Sequence, residues 1–442
     1  MYSKVRTEGS RKLGVIAVVG CHWGDEGKGK LIDYLSAHAD MVIRFNGGAN
    51  AGHSIHNSFG GFALHLVPSG IFYPGATCVI GPGTVMDPGA LLEELANLES
   101  SGVDTSGLRI SERAHVVMPY HRLLDALEEG ARGERAQGTT KRGIGPCYTD
   151  KVARIGVRMG DLLDDEYLAH DLAYVVEQKN LQLTRLYDHK PLVLQDLQET
   201  CRSWGRALQD KIVDTFPLVR QALDSDSSII LEGQLGTLRD LDWGVYPFVT
   251  SSTTLPGGAA AGAGIPPNAI SHIIGVVKSY TTAVGEGPFP TELMDEIGDT
   301  LRTVGGEFGA STGRPRRCGW FDAVAARFGA QINGCDSIAL SKLDPLDGFS
   351  RISICTGYRL DGEPVHSMPT TRKLARVEPI YETMPGWQTP TTGVRSFADL
   401  PQAAQRYILR IEELVGVPIR YIGVGQDRDA FIVRDGWLAT QR

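Results

Sequence analysis

Between Gly20 and Lys30 the chain reads GCHWGDEGKGK, a segment dense in groups that could handle phosphate. Glycines at 20, 24, 27 and 29 let backbone N–H groups close on an anion, and Lys28 and Lys30 add positive charge. From Leu31 onward the pattern predicts a helix whose positive end faces the same way. The spacing is not that of a Walker loop, because Gly29 stands where a magnesium-binding Ser or Thr belongs. Asp25 and Glu26 are unexpected in a phosphate cradle, since carboxylates repel phosphate. Two chemistries reconcile them: a metal ion bound to phosphate, or a base acting on a neutral group.

Other polar, glycine-rich segments follow short apolar runs in the same way. Val19 leads into the 20–30 loop, Arg44 into NGGANAGH (46–53), Leu231 into EGQLGT (232–237), Leu340 into SKLD (341–344), and Ile422 into GVGQDR (423–428). The runs Leu13–Val19, Met41–Arg44, Cys78–Ile80, Ile229–Leu231, Ile273–Val277, Ile338–Leu340 and Arg420–Ile422 read as buried strands. Helical patterns lie between several of them. Asp87-Pro88 followed by Leu91, Leu92, Leu95 and Leu98 predicts a capped helix ending near Gly102. Pro401 opens another, with Ile408, Ile411 and Val415 on one face and Gly416 at its end. Such alternation implies an α/β fold: a mainly parallel, doubly wound central sheet flanked by helices. The stretch 160–228 is the most uniformly helical and is expected to form a subdomain within a single domain spanning 13–442. In open α/β sheets ligands bind outside the carboxyl ends of the strands, so the five polar segments would line one cleft.

Composition narrows the setting. The 442 residues carry 42% hydrophobic and 22% charged side chains and a net charge of −8, which argues against general nucleic-acid or anionic-membrane binding. Seven scattered cysteines without a C-x-x-C pair predict free thiols in a reducing cytoplasm rather than a zinc site. Residues 1–12 mix both charge signs and read as a solvated tail, and no apolar run approaches a membrane span.

The wording of these segments then becomes specific. WGDEGKGK (23–30), NAGH (50–53), GTTKRGIGP (138–146), DKVAR (150–154), YPFVTSS (246–252), GPFPTEL (287–293), STGRPRRCGW (311–320), KLDPLDG (342–348) and PIYETMPGW (379–387) occur in order. Together they make the chain resemble the adenylosuccinate synthetase family from Leu13 onward. The resemblance implies a two-step, GTP-dependent ligation: phosphorylation of the 6-oxygen of IMP, then displacement of that phosphate by the amino group of aspartate. It implies Asp25 as the base for the N1 proton, His53 as the acid, and Lys28 at the phosphates. Magnesium would bind Asp25 and the Gly52 carbonyl. Asn50, Thr140, Arg154, Gln234, Leu235, Thr250 and Arg314 would hold the purine nucleotide, with Arg154 crossing to a partner subunit in a homodimer. Gly309, Ala310, Ser311, Thr312, Gly313 and Arg314 match the aspartate loop, where guanidinium suits a carboxylate. GTP would lie on Gly24, Glu26, Gly27, Lys28, Gly29, Lys30, Arg316, Lys342, Leu343, Asp344, Gly423, Val424 and Gly425. Asp344 can accept from the N1–H and 2-amino group of guanine.

The chain also departs from the family's pattern. Ala49, Ser311, Pro315, Gly423 and Gln426 are mild variations. In Glu232-Gly233-Gln234-Leu235-Gly236, however, the family's base-reading glutamine is replaced by Leu235, and Gln234 sits one place earlier. A one-residue shift on an extended segment sends a side chain to the opposite face. Trp243, Thr253 and LPGGAAAGAG (255–264) differ nearby. Two further readings follow: the same chemistry on a modified purine nucleotide, or a noncatalytic nucleotide-binding protein. Retention of Asp25, Lys28, His53 and Arg314 argues against the second.

Overall fold

The computed structural model describes residues 13–50, 52–309 and 313–434. The expected tail at 1–12 and the loop residues Ala310, Ser311 and Thr312 lie outside them.

Ten strands form the central sheet: β1 (Val15–Gly20), β2 (Met41–Arg44), β3 (Thr77–Ile80), β4 (Leu108–Ser111), β5 (Ile212–Val213), β6 (Ile229–Gly236), β7 (His272–Lys278), β8 (Ser337–Ser341), β9 (Ile419–Gly423) and β10 (Phe431–Val433). Their order is β10-β9-β8-β7-β1-β6-β2-β3-β4-β5. Every pairing is parallel except that of β9 with β10. All seven expected strands are present and belong to this one sheet.

The sheet is covered on both faces, as a parallel sheet must be. On β1, Ile16 and Val18 face a core shared with Leu31, Ile32 and Leu35 of the first helix (Lys28–Ser36) and Leu91, Leu95 and Leu98 of helix Pro88–Ser100. Val15, Ala17 and Val19 face the opposite layer, with Ala259, Ala260 and Ala263 of helix Pro256–Ala263. Toward β8 and β9, helices Ala323–Asn333 and Gln402–Val415 supply Ala326, Ala330, Tyr407, Ile408 and Ile411. Helix Pro88–Ser100 is capped as its residues require, with Asp87 Oδ1 accepting from Ala90 N at 3.0 Å. Helix Gln402–Val415 ends at Gly416, whose φ of 78° is the left-handed stop.

The segment 160–228 contains helices Asp165–Leu186, Leu194–Leu208 and Thr215–Asp224, and also the edge strand β5. Its Leu172, Val176 and Cys201 belong to the same apolar cluster as Ile16 and Val42. A second sheet was not expected. Arg351–Leu360 pairs with Phe321–Asp322, Glu363–Val365 and Glu378–Pro385 beside β8 and its following turn. Among the described residues no helix is long and apolar enough to cross a membrane.

Candidate functional site

β1, β2, β6, β7, β8 and β9 all deliver their carboxyl ends to one edge, and the glycine-rich segments meet there. The loop after β1 is shaped from within by Glu26. Its buried carboxylate accepts from His22 N at 3.1 Å, Gly24 N at 2.9 Å and Lys28 Nζ at 2.6 Å. Burial alone would raise the Glu26 pKa; Lys28 and the backbone hydrogen bonds together more than offset it, so the pKa is lowered. The odd pair of carboxylates thus divides: Glu26 turns inward and folds the loop, while Asp25 stays partly exposed. A side chain at Gly20 would sit 2.4 Å from Glu26 Oε2, so that glycine is set by packing. Gly27, with φ 88°, precedes helix Lys28–Ser36 with no side-chain cap, leaving the first N–H groups free for an anion.

Asp25 has φ 64° and its carboxylate pairs with Arg316 Nε. His53 begins the hairpin strand His53–Asn57, with its Cβ 2.7 Å from where a side chain at Gly29 would begin. That contact explains the glycine at 29: a Ser or Thr there would displace His53. The His53 Nδ1 lies 2.6 Å from Glu232 Oε1, and Glu232 also accepts from Ser69 N at 2.8 Å and Ser69 Oγ at 3.0 Å. A donor at Nδ1 leaves Nε2 as the ring's working nitrogen. Burial depresses the His53 pKa, and Glu232 opposes that.

Gln234 is fully buried. Its Oε1 accepts from Gly48 N at 2.9 Å, and its Nε2 donates to Gly48 O at 3.1 Å and Asn50 Oδ1 at 3.0 Å. Arg44 Nη2 reaches the same Gly48 carbonyl at 2.9 Å. Leu235 has φ 61° and packs its backbone on Gly24. The register of β1 against β6 slips between Val18 and Gly20, four residues of β6 spanning two of β1. This bulge carries β6 past Leu231, where the apolar run ends, and separates the two side chains: Gln234 goes inward, Leu235 stays partly exposed.

On the neighbouring strands, Lys30 Nζ donates to Gly425 O at 2.7 Å and Ala430 O at 2.9 Å, its pKa held down to about 8 by burial. Leu343 N donates to Gly423 O at 2.9 Å and Val424 N to Ala430 O at 3.0 Å, so the 342–344 and 423–425 segments form one wall. Asp344 opens a short turn with Oδ1 buried and unpartnered in the protein, and burial raises its pKa. Lys342 and Arg316 both bind Glu307.

The remaining expected residues make contacts of their own. Thr250 is buried, its N–H donating to Arg239 O at 2.8 Å. Thr140 follows the turn in which Glu129 accepts from Gly138 N and Thr139 N, and Gly138 lies against Arg314. Arg314, half exposed, pairs with Glu286 at 3.1 Å. Gly309 and Gly313 are joined by a backbone bond of 2.8 Å. Arg154 stands exposed in a left-handed conformation at the end of helix Ile144–Ala153. That helix is fixed by Asp150, which holds His121 at 2.8 Å and Lys179.

A model of the adenylosuccinate synthetase family matches residues 17–432. The chain belongs to the adenylosuccinate synthetase family. It is 52% identical over 418 residues to adenylosuccinate synthetase of Heliobacterium modesticaldum, covering 94% of this chain and 98% of that protein. Adenylosuccinate synthetase of Moorella thermoacetica is also 52% identical, over 422 residues, with 95% and 99% covered. The fully ligated adenylosuccinate synthetase structure from Plasmodium falciparum superposes with a TM-score of 0.90 at 38% identity, covering 96% of this chain and all of that one. Membership in this family makes the chain a ligase that forms a C–N bond. Reasoning from sequence passed over Glu232, Ser69, Arg44 and Glu307 as members of the site. A carboxylate directly continuing the apolar run Ile229–Leu231 was the available signal for Glu232, since a buried acid needs a partner.

Proposed function

We propose that this chain joins L-aspartate to the 6-position of IMP, using GTP and passing through a 6-phosphoryl intermediate to adenylosuccinate. The observation that carries the residue roles is the buried Glu232–His53 pair beside the uncapped first turn at Gly27–Gly29, with Asp25 in the same loop. A carboxylate that accepts from one ring nitrogen fixes the imidazole's orientation and favours the imidazolium, whose second N–H can meet a phosphate oxygen, as phosphoryl transfer by positioning and charge neutralisation requires.

Asp25 takes the N1 proton of IMP, so that the 6-oxygen attacks the γ-phosphorus and GDP leaves. Protonated at both ring nitrogens, with Nδ1–H held by Glu232, His53 donates from Nε2–H to an oxygen of the transferring group, and Lys28, beside the helix N-terminus, steadies the phosphates. The amino group of aspartate then displaces phosphate at C6, with Arg314 holding the dicarboxylate. Arg316 releases Asp25 when nucleotide enters. Asp344 reads guanine. Arg154, exposed at a helix end, reaches the nucleotide of a second copy in a homodimer.

The donor set at Asp25 suits magnesium: one partly exposed carboxylate and the Gly52 carbonyl are hard oxygens, and such ions take the rest of their shell from phosphates and water. When bound there, the ion would neutralise charge on the phosphate oxygens. The seven free cysteines fit a reducing compartment, the cytoplasm. Mass spectrometry of products from GTP, aspartate and IMP tests the reading; absence of adenylosuccinate overturns it.

A further inference from the structure

We infer that Glu307 is a positioning residue for the triphosphate side of the site, holding Lys278, Lys342 and Arg316 as one preformed cationic cluster. The inference rests on the reading above that Arg316 and Lys342 serve GTP. Glu307 follows helix Glu296–Val304 and is 0% exposed. Its Oε1 accepts from Lys278 Nζ at 2.9 Å, from Lys342 Nζ at 3.0 Å and from the Tyr280 hydroxyl. Its Oε2 accepts from Arg316 Nη1 at 2.7 Å, and its own carbonyl accepts from Arg316 N at 2.9 Å. Arg316 is therefore held at both its guanidinium and its backbone.

The three cations come from different places: Lys278 ends β7, Lys342 follows β8, and Arg316 leads into the strand Arg317–Gly319. Without a shared anion, cations this close would repel one another. Burial alone would raise the Glu307 pKa, but Lys278, Lys342 and Arg316 together hold it far below the usual carboxylate range. From this cluster Arg316 reaches Asp25, and Lys342 donates to Gly305 O at 2.6 Å and leads into Asp344. Three cations face two carboxylates, Glu307 and Asp25. The surplus positive charge sits between the base and the guanine-side wall, where a triphosphate meets it.

Steady-state kinetics of intact enzyme carrying Glu307→Gln tests this, because glutamine keeps the shape and removes the charge. KM for GTP is expected to rise at least about fivefold and kcat to fall, with KM for IMP within about twofold of wild type. A purely structural role would reduce the folded fraction, lowering apparent kcat with both KM values unchanged; that result overturns the inference, as does an equal rise in both. Glu307→Asp keeps the charge with a shorter reach and is expected to fall between the two. It carries the test alone if the glutamine variant does not fold, and a KM for GTP equal to wild type would then overturn the inference. Tyr280→Phe removes a donor but no charge and is expected to leave KM for GTP within about twofold. A rise matching that of Glu307→Gln would show that charge is not what Glu307 contributes. Failure of the functional reading is distinct, because it would appear as absence of adenylosuccinate with wild-type protein.

Discussion

Gln234 and Gly48 are joined by two reciprocal hydrogen bonds, the amide side chain of one closing on the N–H and carbonyl of the other at 2.9 and 3.1 Å. A third bond to Asn50 uses the remaining amide hydrogen. Gln234 is thus the clasp of the 46–50 loop, with both amide hydrogens already engaged. Leu235, next in the chain, occupies the position where the family's pattern has a base-reading glutamine.

Leu235→Gln is expected to lower KM for IMP by roughly tenfold, the worth of about one net hydrogen bond, with little change in kcat. Gln234→Ala is expected instead to lower thermal stability and kcat together, because it strands the Gly48 peptide. Steady-state kinetics of both variants checks the division. If Gln234→Ala altered base selectivity while Leu235→Gln changed nothing, the assignment would be reversed.

Glu232→Gln should lower kcat by about 10²-fold or more while leaving nucleotide KM values nearly unchanged, since the ring of His53 loses the carboxylate that favours its protonated form rather than its place. His53→Asn should cost at least as much. A Glu232→Gln enzyme as active as wild type would remove the pair from the reaction.

The apolar cores of β1, β2, β3 and β6 to β9 were legible because strands buried on both faces leave unbroken β-branched runs, and their polar exits marked the site edge. β5 is only two residues long, and β4 carries Arg109 within four residues, so neither leaves such a run. Glu378–Pro385 alternates half-buried and exposed positions, which weakens its signal further. The bulge in β6 came from register against β1, a relation between residues far apart in the chain. Glu307 left no local mark for the same reason, its partners lying at Lys278, Lys342 and Arg316, and the run before Glu232 marks a buried acid without pointing to His53.

GTP is expected to be preferred over ATP, because the buried, unpartnered Oδ1 of Asp344 would face an acceptor at adenine N1 and gain no donor. Asp344→Asn should narrow the preference by at least about tenfold in kcat/KM. Competition assays with the two triphosphates measure it, and an unchanged ratio would place guanine recognition elsewhere.

Stability should carry an acid-side signature from His115. Burial first, then Lys151 and Arg158, press its pKa down to about 4. Between that value and about 6.5, its unfolded-state value, the unfolded chain binds a proton that the folded protein refuses. Stability from this group therefore falls as pH drops through that window. Melting temperatures of His115→Gln between pH 7 and pH 5 should decline less steeply than those of wild type; an equal or steeper slope would contradict the assignment.

In the proposed reaction Asp25 is the base that makes the 6-oxygen of IMP a nucleophile, and Asp25→Asn removes that function alone. Asparagine keeps the loop's left-handed geometry but cannot take the N1 proton. With GTP, IMP and aspartate supplied together, product mass spectrometry should find adenylosuccinate from wild type and at least about 10³-fold less from Asp25→Asn, with IMP still bound in equilibrium titration. Turnover within about tenfold of wild type would take Asp25 out of the chemistry.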